Sequence, residues 1–142
     1  MNAEIMRGQK ALAELRKTLE SLHRRALALL VEDDVNDIFL IREVFKRFSV
    51  DLDVSTGVED AVERLRCRKY DAVFVDLKLS DGSGLDIISR AVGHQIDTFF
   101  IVVTGVDDSN PMIVEALERG AKCVIQKPIT EDHLRLIFGS VP

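Results

Sequence analysis

Four short apolar runs in this chain each end in one polar device. Residues 27–31 lead into Glu32-Asp33-Asp34, residues 72–75 into Asp76, residues 100–103 into Thr104, and residues 123–126 into Lys127-Pro128. Apolar runs of this length, rich in Val and Ile, are the signature of strands buried on both faces of a parallel sheet. Groups at the carboxyl ends of such strands converge on one crevice, where open α/β sheets bind their ligands. The pattern therefore collects carboxylates, a hydroxyl and an ammonium at one edge, a combination suited to chemistry rather than packing.

Between these runs the periodicity becomes helical. A first helix is predicted over 36–47, with Ile38, Ile41, Phe45 and Phe48 on one face. A further strand is predicted over 52–55, and helices over 58–66 and 85–92. Asn110-Pro111 supplies an N-cap followed by proline at the first helical position, and Gly120 stops that helix. The last helix opens at Thr130, with Glu131 and Asp132 in its first turn, and ends near Gly139. Five βα repeats predict a doubly wound, flavodoxin-like (βα)5 sheet with strand order 2-1-3-4-5. That order sets strands one and three side by side, so Glu32-Asp33 and Asp76 become neighbours.

Residues 3–24 are expected to form an extra N-terminal amphipathic helix. Leu12, Leu15, Leu19 and Leu22 recur at 3-4-3 spacing, and Ile5 lies one heptad before Leu12. Such a stripe has to be buried. The division is therefore a helix over 1–25 and a domain over 26–142. The helix could pair two chains as a homodimer through residues 3–24, continue a signalling helix, or dock on its own domain. The sequence ends soon after the last helix, and no second output domain is expected.

Charge and composition narrow the function classes. The net charge is −5, unlike the basic face of a nucleic-acid-binding module. It is unevenly spread: residues 1–25 carry +3 and the rest −8. No apolar stretch approaches the roughly 20 residues that span a bilayer. Cys67 and Cys123 are too few for a disulfide framework. The expected compartment is the cytoplasm, without nucleic-acid or membrane partners.

The same residues resemble the receiver (CheY-like) domain of bacterial two-component response regulators. The resemblance runs from about Leu27 to about Phe138. It rests on 31–34 (Val-Glu-Asp-Asp), on 75–85, on Thr104-Gly105 and on Lys127-Pro128, in the family's order and spacing. It implies a phosphorelay module that takes a phosphoryl group from a sensor histidine kinase or histidine phosphotransfer protein and signals to a partner. Apart from its own phosphorylation and dephosphorylation it would catalyse nothing.

Several carboxylates in one crevice repel one another, and a hard divalent cation relieves this. Asp33 and Asp76 are the expected direct ligands of Mg²⁺, with Glu32 acting through a water. The resemblance adds the Lys78 backbone carbonyl. Asp76 is the expected phosphoacceptor, since a carboxylate can form a covalent acyl phosphate. Lys127 and Thr104 would pair with phosphoryl oxygens. The resemblance also implies a cis peptide at Lys127-Pro128, and X–Pro is where cis bonds occur. It further implies that Lys78 and Val106 stand where the family tunes dephosphorylation. One position departs from the family: three residues before Lys127, where a Tyr or Phe is usual, this chain has Val124. That departure puts the usual output surface on the family's fourth and fifth helices in question.

Two other function classes compete. A haloacid-dehalogenase-type phosphatase also uses an aspartyl phosphate and Mg²⁺, but needs Asp two positions after its nucleophile, where this chain has Lys78. A pseudo-receiver would keep the fold without phosphorylation, a reading that the intact Asp76, Thr104 and Lys127 oppose. Asp34 and Asp37 are read as helix-start residues, Asp81-Gly82 as turn chemistry, and His23, His94 and His133 as surface or helix-end residues.

Overall fold

The computed structural model describes residues 5–142. Five parallel strands, β2 (Ala26–Val31), β3 (Val50–Ser55), β4 (Ala72–Val75), β7 (Phe100–Thr104) and β8 (Cys123–Gln126), form one sheet. A short strand, β1 (Ile5–Arg7), joins it antiparallel to β8, giving the order β1-β8-β7-β4-β2-β3. The parallel part of that order is the flavodoxin-like one. A small hairpin, β5 (Lys78–Leu79) and β6 (Gly82–Ser83), follows β4.

Alternation along each strand divides the core in two. Leu29, Val31, Val73, Val75, Phe100, Val102 and Val124 face helices α3 (Val58–Cys67), α4 (Gly84–Gly93) and α5 (Pro111–Arg119). Ala28, Leu30, Phe74, Ile101, Val103, Cys123 and Ile125 face α1 (Gln9–Glu20), α2 (Val35–Phe45) and α6 (Glu131–Phe138). Both faces being covered explains why β2, β4, β7 and β8 read as unbroken apolar runs, whereas β3 at the end of the sheet carries Asp51 and Asp53. On the second face Phe45 meets Phe74 edge-on, with ring centroids 5.1 Å apart.

The N-terminal segment differs from the expectation. Of the predicted 3–24 helix, residues 3 and 4 lie outside the described residues, Ile5–Arg7 is a strand, and the helix itself is Gln9–Glu20. Gly8 makes the break. It sits at φ 99°, where a side chain is strained, and a Cβ there would lie 2.2 Å from the Lys122 carbonyl oxygen. The leucine stripe is covered within the chain: Leu12 and Leu15 are buried in the same cluster as Ile125, Leu134 and Ile137. Beyond the helix, Arg24 grips Asp71 with two bonds of 2.8 and 2.9 Å. Asp71 also accepts the Leu27 N–H at 2.7 Å, which fixes the entry into β2.

Candidate functional site

The central strand pair sets the first two site residues. Val31 pairs with Val75 across β2 and β4, so Glu32 and Asp76 leave the sheet together. Gly84 lets the chain close behind them: a Cβ there would stand 2.2 Å from the Asp76 carbonyl oxygen. Thr104 ends β7 and is fully buried. Lys127 follows β8 and donates its N–H to the Thr104 carbonyl at 2.8 Å, extending the ladder by one step. The Lys127-Pro128 peptide is cis.

The Lys127 ammonium is the hub. It lies 2.6 Å from Glu32 Oε1, 2.8 Å from Asp37 Oδ2 and 2.8 Å from Asp76 Oδ2. An ammonium has three N–H donors, and three carboxylates receive them. Burial alone would lower the Lys127 pKa; the bonds to Asp37, Asp76 and Glu32 override it and raise the value above the ordinary lysine range. Burial pushes the Glu32 carboxyl up, opposed by its bonds to Lys127 and to a backbone N–H. Its other oxygen accepts the N–H groups of Asp33 and Asp34 at 3.1 and 3.0 Å.

Asp33 turns its Oδ2 to the Ser80 N–H at 2.6 Å, joining the β2–α2 loop to the β5–β6 hairpin. Asp76 Oδ1 is approached by the Lys78 N–H at 3.5 Å, too long for a strong bond. Thr104 Oγ1 accepts the Val106 N–H at 3.3 Å. Every residue expected at the site thus lies at the carboxyl edge of the sheet.

The donor set suits a hard cation. Glu32, Asp33, Asp37 and Asp76 oppose one ammonium, leaving the rim strongly negative. Among the described residues no three His, Cys, Asp or Glu side chains form a ready-made metal cage. Two carboxylates, a backbone carbonyl and water nevertheless match Mg²⁺, which keeps several waters and needs few protein ligands.

Asp37 is a helix-start residue, as expected, and has a second role as well. It sits in the first turn of α2, where its N–H is capped by Asp34 at 2.9 Å, and its carboxylate belongs to the lysine hub. Asp34 is the N-cap it was expected to be. Asp81 holds the Val58 N–H at the start of α3 with both oxygens, each at 3.0 Å. His133 starts α6 in a capping box with Thr130, and it is buried rather than at the surface. Gln126 was read only as a strand end; its amide bonds the Val106 and Thr104 carbonyls at 2.9 and 3.3 Å. Val124 is fully buried in the core.

Comparison with known proteins identifies the family. The response regulator receiver domain family matches residues 28–138. The acid tolerance regulatory protein ActR of Rhizobium meliloti (strain 1021) is 29% identical over 106 residues, covering 75% of this chain and 54% of ActR. The regulatory protein LuxO of Vibrio cholerae serotype O1 is 30% identical over 111 residues, covering 78% of this chain and 24% of LuxO. The chain therefore spans about half or less of these relatives' length. Among solved structures, a CheY-like receiver domain from Methylobacillus flagellatus superposes with TM-score 0.70 at 29% identity, covering 83% of this chain and 99% of that one. The family match runs through all five parallel strands and spans both Asp76 and Lys127, and the chain belongs to the receiver domain family of response regulators.

Proposed function

We propose that this receiver domain accepts a phosphoryl group on Asp76 from a phosphohistidine of a sensor histidine kinase or histidine phosphotransfer protein, in the cytoplasm. The observation that carries this reading is the Lys127 ammonium 2.8 Å from Asp76 Oδ2, with the buried Thr104 hydroxyl at the adjoining strand end. An Asp76 oxygen attacks phosphorus, the P–N bond breaks, and its electron pair leaves with the donor imidazole. Lys127 then exchanges a carboxylate partner for a phosphoryl oxygen, and the Thr104 hydroxyl donates to another. Asp33, Asp76, the Lys78 carbonyl and, through water, Glu32 would hold Mg²⁺. When bound, that ion neutralises charge on the transferring group. Asp37 competes with the phosphoryl group for Lys127 and so tunes how readily the lysine turns inward.

The donor docks on α2. Val35, Phe39 and Leu40 are 77%, 61% and 59% exposed, an apolar patch beside the acceptor. Next to it lies a groove of about 270 Å³ between Leu40 and Ile41 of α2 and Pro128-Ile129, reaching Asp37 and Lys127. A partner seated there has its reactive group within reach of Asp76.

The domain is a phosphoacceptor and signals by a change of shape; it is not a turnover enzyme. Incubation with acetyl phosphate and Mg²⁺ tests this by mass spectrometry. The wild-type chain gains one phosphoryl group and the Asp76→Asn chain none. An equal gain in both would refute the assignment.

A further inference from the structure

The wall of the site leads outward through one side chain. Gln126 pairs with Thr104 in the β7–β8 ladder, and its side chain lies on the same strand face as Val124. Its amide nitrogen donates to the Thr104 carbonyl at 3.3 Å and to the Val106 carbonyl at 2.9 Å. An amide NH₂ has two hydrogens, and both are used on the carbonyls that flank Gly105. The Thr104 carbonyl also receives the Lys127 N–H at 2.8 Å. The hydroxyl of Thr104 holds the Val106 N–H at 3.3 Å. Val106 is therefore gripped at both ends of its backbone, from β7 and from β8.

Beyond Val106 the loop is tied to a helix. Asn110 donates its N–H to the Asp107 carbonyl at 2.9 Å and caps the Met112 N–H at 2.9 Å, starting α5. Ser109 donates to Asp107 Oδ1 at 3.1 Å. Hydrogen bonds thus link Thr104 and Lys127 through Gln126 to Val106, the peptide backbone carries on to Asp107, and a second set of bonds ties Asp107 to the first turn of α5. Val124 offers no parallel polar route: it is fully buried and its side chain has no polar atom.

We infer that Gln126 is the positioning residue that carries the state of the Asp76 site into the β7–α5 loop and the start of α5. The inference rests on phosphorylation at Asp76. When Thr104 turns towards a phosphoryl group, its carbonyl shifts with it. Gln126, holding that carbonyl and the next but one, moves Val106 in the same step. Open space surrounds Gly105, where a Cβ would meet nothing within 4 Å, so the peptides on either side can shift without a clash. The signal is thus a polar coupling along the face of β8 rather than the swing of an aromatic ring.

The test uses the full chain with acetyl phosphate and Mg²⁺, read by mass spectrometry and by amide resonances. Gln126→Met keeps length and volume and removes both donors; Gln126→Lys restores donors. In the wild type, phosphorylation shifts the amides of Gly105, Val106 and residues 110–113. In Gln126→Met the phosphoryl mass is still gained and the Asp76 and Lys78 amides still shift, but the response of 106–113 is lost. In Gln126→Lys that response returns. A phosphorylated Gln126→Met chain with the wild-type loop response overturns the coupling alone. A wild-type chain that gains no phosphoryl mass overturns the Asp76 reading instead.

Discussion

Lys127 Nζ stands 2.8 Å from Asp76 Oδ2, although 51 residues separate the two in sequence. The same ammonium holds Glu32 and Asp37, so one cation keeps three carboxylates together. Glu32 is only 2% exposed and cannot escape to water if the lysine is removed. Breaking one partner out of a buried ion cluster costs several kcal/mol because a charge is left unpaired. Lys127→Met is therefore expected to lose about 3 kcal/mol of unfolding free energy in metal-free buffer. An Mg²⁺ ion held by the folded rim and not by the unfolded chain would add to stability, so millimolar Mg²⁺ should restore part of the loss. Urea unfolding with and without Mg²⁺ checks both; an unchanged midpoint in the variant would mean that the cluster contributes nothing.

The hub also sets a pH dependence. The Lys127 pKa is raised in the folded chain above its unfolded value near 10.5. Its contribution to stability is therefore complete below that value and is lost as pH rises through the higher, folded pKa. The stability difference between wild type and Lys127→Met should stay level from about pH 7 to about pH 9 and shrink only above the ordinary lysine range. Denaturant titrations at stepped pH measure it. A difference that already fades near neutral pH would contradict the raised pKa.

The N-terminal arm completes the core. Leu12 and Leu15 share a cluster with β8 and α6, and β1 extends the sheet beyond β8. Leu15→Ala should cost about 3 kcal/mol, the usual scale for a buried leucine. The arm and the rest of the chain should unfold in one transition. Light scattering should give the monomer mass across a concentration series, because the leucine face is already covered. A separate early transition, or a mass that doubles with concentration, would show an arm free to pair with another chain.

Much of this arrangement is legible in the sequence, and the exceptions share a cause. Strands β2, β4, β7 and β8 are buried on both faces, so they stand out as apolar runs, and the polar residues after them fall on one edge by topology alone. Helix α5 was bounded by Asn110-Pro111 and Gly120, and the same cap and stop bound it in three dimensions. The arm reads as one helix because a strand of three residues is too short to show alternation, while Leu12 and Leu15 extend a helical rhythm across it. Gly8 was the marker: its role depends on the Lys122 carbonyl, more than a hundred residues away. The Lys127 contact of Asp37 and the loop contacts of Gln126 are illegible for the same reason. Each has an ordinary local function, and the contact that matters is long-range.

Donor docking and acceptor chemistry separate experimentally. Phe39 is exposed on α2 and bonds to nothing in the lysine hub. Phe39→Asp should slow phosphotransfer from a phosphohistidine-bearing protein by about tenfold, equivalent to about 1.4 kcal/mol. Phosphorylation by acetyl phosphate, which needs no protein surface, should be unchanged. Parallel time courses with the two donors decide the point: equal slowing with both would place the defect in the acceptor site and not in docking.

The most direct measurement is the chemical position of the phosphoryl group. Borohydride reduces an acyl phosphate to the alcohol, converting a phosphorylated aspartate into homoserine. After treatment with acetyl phosphate and Mg²⁺, reduction and peptide mass mapping, homoserine is expected at position 76 and nowhere else. Homoserine at Asp33 or Asp37, or a phosphoryl group recovered on a histidine, would contradict the account.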